Sequence, residues 1–230
     1  MSLALHHHPL SSFCWKALIA LYENDTPFDP VIVNLGDPTE RAAFAALWPM
    51  TKFPVLEDRA RGAVVGEASV IIAYLDAVAP GRTRFIPADP QAALRAHMLD
   101  RVLDLYVQIP MQKATGDALR PGDARDPHGV AEAEALLGRA YDYLETQIPE
   151  TGWALGGAFS LVDCAALPAL FYGDLVAPLT RDHPRLRAYL RRLIAHPPVA
   201  RTLSEAAPYF AFFPGARMPD IARAGRWGDD

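Results

Sequence analysis

The chain has 230 residues, 51% of them hydrophobic and 21% charged, with a formal net charge of −5. That composition supports a packed core and argues against wholesale disorder, and without a long Lys/Arg run there is no electrostatic basis for nucleic-acid or membrane partners. The N-terminus has no signal-peptide pattern, no segment approaches ~18 uninterrupted apolar residues, and Cys14 and Cys164 fall in different expected domains, so a soluble cytoplasmic protein without a disulfide framework is expected.

Leu3–Leu5 reads as a short strand, closed by Pro9-Leu10-Ser11-Ser12. Phe13, Ala17, Leu18 and Leu21 then recur at helical spacing up to Glu23, with Lys16 a polar interruption. Asn24-Asp25-Thr26-Pro27 stops that helix, and Phe28–Val33 is a second strand. A short helix at Arg41–Leu47, a hairpin of Pro54–Glu57 with Ala63–Val65, and a helix over Glu67–Ala79 follow. Ala79-Pro80-Gly81-Arg82 and Pro87-Ala88-Asp89-Pro90 mark a linker, after which only helical periodicity remains. Helices are expected over Gln91–Gln112, Val130–Gln147, an apolar Leu161–Val176, Pro184–Ala195 and Pro198–Glu205. Two packed domains result, an α/β unit over 1–80 and an all-helical one over 89–230. Gly215–Asp230 has little periodicity, which leaves wrapping the surface or mobility open.

Ser11 and Ser12 precede the first helix, where a hydroxyl either caps free N–H groups or, helped by the helix dipole, points at an anionic ligand atom. Ser11-Ser12-Phe13-Cys14 has the frame of C-x-x-C with the exposed nucleophile replaced by Ser, so Cys14 reads as a packed thiol and disulfide exchange is disfavoured. Pro54 at a strand start is common in itself; a cis Phe53–Pro54 bond would present the Phe53 backbone as a strand edge. Glu67 is either a first-turn acid favourable to the dipole or an anchor for a ligand ammonium. His6-His7-His8 alternates between the faces of a strand without a carboxylate or Cys at useful spacing, so no metal is expected.

Taken together, three segments resemble the serine-type glutathione transferases, especially the zeta and tau classes and bacterial members. They are Ser11-Ser12-Phe13-Cys14-Trp15-Lys16; Trp48-Pro49-Met50-Thr51-Lys52-Phe53-Pro54-Val55-Leu56, similar to N-P-x-x-K-x-P-x-L with its cis proline; and Glu67-Ala68-Ser69-Val70-Ile71-Ile72-Ala73-Tyr74-Leu75, similar to E-S-x-x-I-x-x-Y-L. Ser160-Leu161-Val162-Asp163 is similar to the family's S-x-x-D cap and is also sound helix-start physics. The resemblance implies a thioredoxin-like α/β domain followed by an all-α one, with glutathione as co-substrate and no metal.

It further implies a thiol activated by Ser11, with Ser12 one position away as the alternative. The γ-glutamyl end would sit at Glu67 with Ala68 and Ser69, the cysteinyl backbone on Phe53 beside Pro54, and a carboxylate near Lys52. Tyr106 and Met111 are candidate walls of a second-substrate pocket and equally ordinary packing residues. Two positions depart from the family pattern: Ala68 replaces a Ser that would bond a carboxylate, and Trp48 replaces an Asn. The implied activity is conjugation of glutathione to a small hydrophobic electrophile, a detoxification chemistry, by a homodimer. The alternatives are a non-catalytic protein-binding scaffold and glutathione-dependent isomerase or reductase chemistry.

Overall fold

A computed structural model describes residues 2–214, and the Gly215–Asp230 tail lies outside the described residues. The first part of the chain runs β1 (Leu3–His7), α1 (Ser12–Glu23), β2 (Asp29–Ile32), α2 (Pro38–Leu47), β3 (Val55–Asp58), β4 (Ala63–Gly66) and α3 (Ala68–Val78). β1 pairs parallel with β2 and antiparallel with β3, giving the sheet order β2-β1-β3-β4. A parallel pair needs a crossover, and α1 supplies it; β3 and β4 are antiparallel neighbours and need only the turn that Gly62 closes at φ +64°. Leu3 and Leu5 face α1 and α3, while His6 on the other face meets Phe44 of α2. This is the thioredoxin-like arrangement.

The helical part consists of α4 (Pro90–Val102), a π-helical segment (Leu103–Gln108), α5 (Ile109–Ala118), α6 (Pro127–Gln147), α7 (Leu161–Val176), α8 (Pro184–Ala195) and α9 (Pro197–Ala206). A 3₁₀ turn at Ala207–Phe212 follows. Among the described residues no helix is long and apolar enough to cross a membrane. Three helices start with an aspartate cap followed directly by proline: Asp37 before α2, Asp89 before α4 and Asp126 before α6. Ser160 and Asp163 form a reciprocal capping box at α7, and Asp163 also accepts from the Ala154 N–H and the Tyr189 hydroxyl.

α1 is buried along nearly its whole surface because the sheet covers one side and α7 the other. Trp15 lies 5.2 Å from Phe171 and 4.7 Å from Tyr172, ring to ring, tying the two parts together.

The structure departs from the sequence reading at several element ends. α2 starts at Pro38 rather than Arg41, since Asp37 accepts from the N–H groups of Thr39 and Glu40. Glu67 stands outside α3, in the left-handed region at φ +65°. The single helix expected over Gln91–Gln112 runs from Pro90 to Ala118 and is interrupted by the π-helical segment. Its core side is Ala96, Leu99, Leu103 and Val107, while Leu94, Met98 and Tyr106 face outward.

Candidate active site

A cleft of about 460 Å³ opens where the N-termini of α1 and α3, the loop before β3, and α5 converge. Ser11, Lys52, Phe53, Pro54, Glu67 and Ala68 all line it. Each arrives there for a local reason. Ser11 is the N-cap of α1, in extended backbone, and its Oγ accepts from the Cys14 N–H at 3.4 Å. That bond uses a lone pair only, so the Ser11 O–H stays available as a donor towards the cleft. Cap and available O–H donor therefore belong to the same serine. Ser12 is buried within α1, outside the cleft lining, and its Oγ has no partner among the described residues.

Phe53–Pro54 is cis, and the ladder pairing of β3 begins at Val55, so Phe53 takes no part in it. Glu67 is exposed, lines the cleft and makes no side-chain capping bond to its own helix; its charge attracts Arg101. The Trp48 ring lies against Gly66, where any Cβ would collide with it, and forms an apolar wall with Leu35. A small residue at 66 is what makes room for the indole at 48.

Three sequence expectations change. Ser69 is not part of the lining: its hydroxyl accepts from Lys16 Nζ at 2.8 Å and Arg101 at 2.7 Å and donates to Asp100 at 2.8 Å. It therefore cannot replace the hydroxyl that Ala68 lacks. Met111 is packed in the helical core, and Tyr106 lies outward in a separate shallow groove against α6. The helical residues that do face the cleft are Ile109 and Gln112. A π-helical turn inserts an extra residue, which rotates every later position by about 100° relative to an unbroken α-helix.

Behind the cleft lies a polar cluster that the sequence did not announce. Lys16 of α1 is fully buried, paired with Asp100 at 2.5 Å and Asp104 at 2.9 Å. Arg101 joins both aspartates, and Gln108 donates to Asp104 at 3.2 Å. Burial raises the Asp104 pKa against the opposing pull of Lys16. The only sequence signal was a lysine at a position surrounded by core residues.

Cys14 is inert as a nucleophile: burial pushes its pKa up to about 12, against the lowering bonds from Ser11 and the His8 backbone. The three histidines separate as β alternation requires, and among the described residues no His/Cys/Asp/Glu group could hold a metal ion.

Comparison with known proteins agrees with this architecture. Glutathione S-transferase PARB of Nicotiana tabacum is 26% identical over 204 residues, covering 86% of this chain and 95% of that one. A glutathione S-transferase of Silene vulgaris is 26% identical over 220 residues, covering 89% and 98%. Among solved structures, a glutathione S-transferase of Methylobacterium radiotolerans in complex with glutathione sulfonate superimposes with a TM-score of 0.76 at 24% identity, covering 94% of this chain and 97% of that one. A bacterial zeta-class maleyl pyruvate isomerase gives 0.74 at 21% identity, covering 86% and 95%. The plant relatives are of the phi class, while a zeta-class enzyme and bacterial glutathione transferases stand among the structural neighbours of a chain whose Ser11-Ser12 had suggested zeta and tau members. With residues 5–83 matching the glutathione S-transferase N-terminal domain and residues 127–192 its C-terminal domain, the chain belongs to the glutathione transferase superfamily.

Proposed function

We propose that the protein is a glutathione transferase that activates the glutathione thiol with Ser11 and directs it at a small hydrophobic electrophile. The observation that carries this reading is the meeting of Ser11, Lys52, Phe53 and Glu67 at one cleft, although they come from separate segments of the chain. Glu67 anchors the γ-glutamyl ammonium, the Phe53 backbone pairs with the cysteinyl unit, and Lys52 faces a carboxylate. A free thiol has a pKa near ~8.5 and is mostly protonated at pH 7. A hydroxyl donating to the sulfur favours the thiolate, and each unit of lowering corresponds to about 1.4 kcal/mol, within the range of one charge-assisted hydrogen bond. On this reading the electrophile lies on the α5 side of the cleft, which Ile109 and Gln112 line. Calorimetry with glutathione, followed by conjugation assays over a panel of aryl halides, epoxides and unsaturated carbonyls, tests the proposal; a failure to bind glutathione at millimolar concentration sinks it.

One observation favours the scaffold alternative: Ala68 carries no hydroxyl, and Ser69 spends its own on the buried cluster. In that case immobilised glutathione retains no protein.

The proposal includes a homodimer. Leu94, Met98, Leu105, Tyr106 and Tyr143 leave an apolar surface on the long helix and α6. Light scattering at micromolar concentration checks it, and a mass near that of one 25.2 kDa chain rejects it.

A further inference from the structure

A second cavity, of about 290 Å³, lies between the edge strand β2, α1 and α9 and shares no lining residue with the Ser11 cleft. Buried Trp15, Leu18 and Ala206 line its inner part, and the more exposed Phe28, Ile32 and Tyr209 line its outer part. The volume is at the small end for ligand pockets, enough for one or two rings, and the walls are mostly apolar or aromatic.

His7 lines this cavity, only 6% exposed, and neither of its ring nitrogens has a partner among the described residues. A buried polar side chain without a partner is costly, and imidazole in its neutral form offers one donor and one acceptor. Burial holds the His7 pKa at about 4 despite the attraction of Glu205, so the ring is neutral at pH 7.

The charged groups at the rim are already matched. Arg201 stacks on Tyr22 at 3.8 Å and pairs with Glu205 at 2.9 Å, and Glu205 also accepts from the Tyr22 hydroxyl at 2.5 Å. An anion would meet the Glu205 carboxylate, and a cation the Arg201 guanidinium. The remaining unfilled demand is a hydroxyl that can give and take a bond at His7, carried on a flat apolar body.

We propose that this cavity is a binding site for small neutral phenols, with His7 as the group that recognises the hydroxyl. The site is separate from the glutathione cleft and holds whether or not that cleft is catalytic. The probes are 2-naphthol and naphthalene, which differ only in the hydroxyl, titrated by calorimetry. Wild type should prefer 2-naphthol by about tenfold, the worth of one buried hydrogen bond. His7→Phe should bring the two probes to nearly equal affinity, and Ala206→Trp should abolish binding of both. Ser11→Ala should leave both affinities in place. In the unsubstituted protein, the His7 ring resonances should move on adding 2-naphthol, a readout independent of how any variant folds. The proposal is overturned if 2-naphthol fails to bind, if the preference survives in His7→Phe, if binding persists in a folded Ala206→Trp, or if the His7 resonances stay still.

Discussion

Lys16 and Asp100 face each other at 2.5 Å with no solvent access to the lysine, and they belong to α1 and α4, on opposite sides of the domain junction. An ion pair in such a place is a weak source of net stability, because desolvating both charges offsets most of their attraction. Removing one partner is different, since it strands the other. Lys16→Met leaves Asp100 and Asp104 with Arg101 as their remaining cation. Urea unfolding should show a loss of about 3–5 kcal/mol. The double change Lys16→Met with Asp100→Leu should recover part of that loss, because it removes a buried charge on each side. A double variant less stable than Lys16→Met alone would contradict this account.

Glu67 separates backbone from charge in a testable way. It holds φ +65° outside α3, a conformation that glycine adopts without steric cost. Glu67→Gly should therefore keep the fold, with stability unchanged or raised by about 0.5–1 kcal/mol. The same variant should bind glutathione more weakly by about 1.5–3 kcal/mol, the value of a hydrogen bond to a charged group. Thermal unfolding and calorimetry on one protein sample check both halves. Unchanged affinity would remove Glu67 from the ligand.

These two cases show what the sequence could and could not reveal. Helices α1, α3 and α7 were legible because a 3.6-residue apolar period leaves few alternatives, and Ser160 with Asp163 announced the start of α7. The cleft-lining residues that are adjacent in sequence were legible through local motifs. What stayed hidden depends on partners far along the chain. Ser69 reads as a residue of the γ-glutamyl end beside Glu67 and Ala68, yet its hydroxyl is committed to Asp100, 31 positions away. Tyr106 and Met111 were candidate pocket walls on the first long helix, but Tyr106 lies within the π-helical turn at Leu103–Gln108 and Met111 beyond it, where an extra residue changes which face each position presents. Leu94 and Met98 recur at helical spacing yet face outward, and periodicity alone cannot tell a face that packs inside from one left for another surface.

His7 gives the stability a defined acid limit. Burial is the largest influence on it; Glu205 opposes with a raising effect, and His8 and His6 lower it further, to a folded value of about 4 against 6.5 free. The unfolded chain therefore binds the proton more tightly than the native one, and stability falls as pH drops. The contribution is complete above pH 6.5, erodes between 6.5 and 4, and is gone below that. The difference corresponds to about 3 kcal/mol. His7→Phe should flatten the stability profile across that window by a similar amount, measured by denaturant titration at several pH values. Parallel profiles for the two proteins would assign the acid sensitivity to other groups.

Ser11 makes the most specific demand on the chemistry. Its Oγ accepts the Cys14 N–H while its proton is free for the cleft, so one substitution removes two functions with different signatures. Ser11→Ala should cost about 1 kcal/mol of stability through loss of the cap. It should also raise the pKa of bound glutathione, leaving affinity for the protonated thiol nearly intact. At pH 7 the conjugation rate should then drop about ten- to a hundred-fold, corresponding to roughly 1.4–2.7 kcal/mol. Part of the rate should return at higher pH, where the thiol ionises unaided. Ser12 is buried away from the cleft with its hydroxyl unpartnered among the described residues, so Ser12→Ala should change neither the thiol pKa nor the rate appreciably. Titrating the thiolate absorbance of bound glutathione in both variants decides the matter. A pKa shift confined to Ser12→Ala would transfer the role by one residue, and no shift in either would leave activation to the backbone N–H groups at the start of α1.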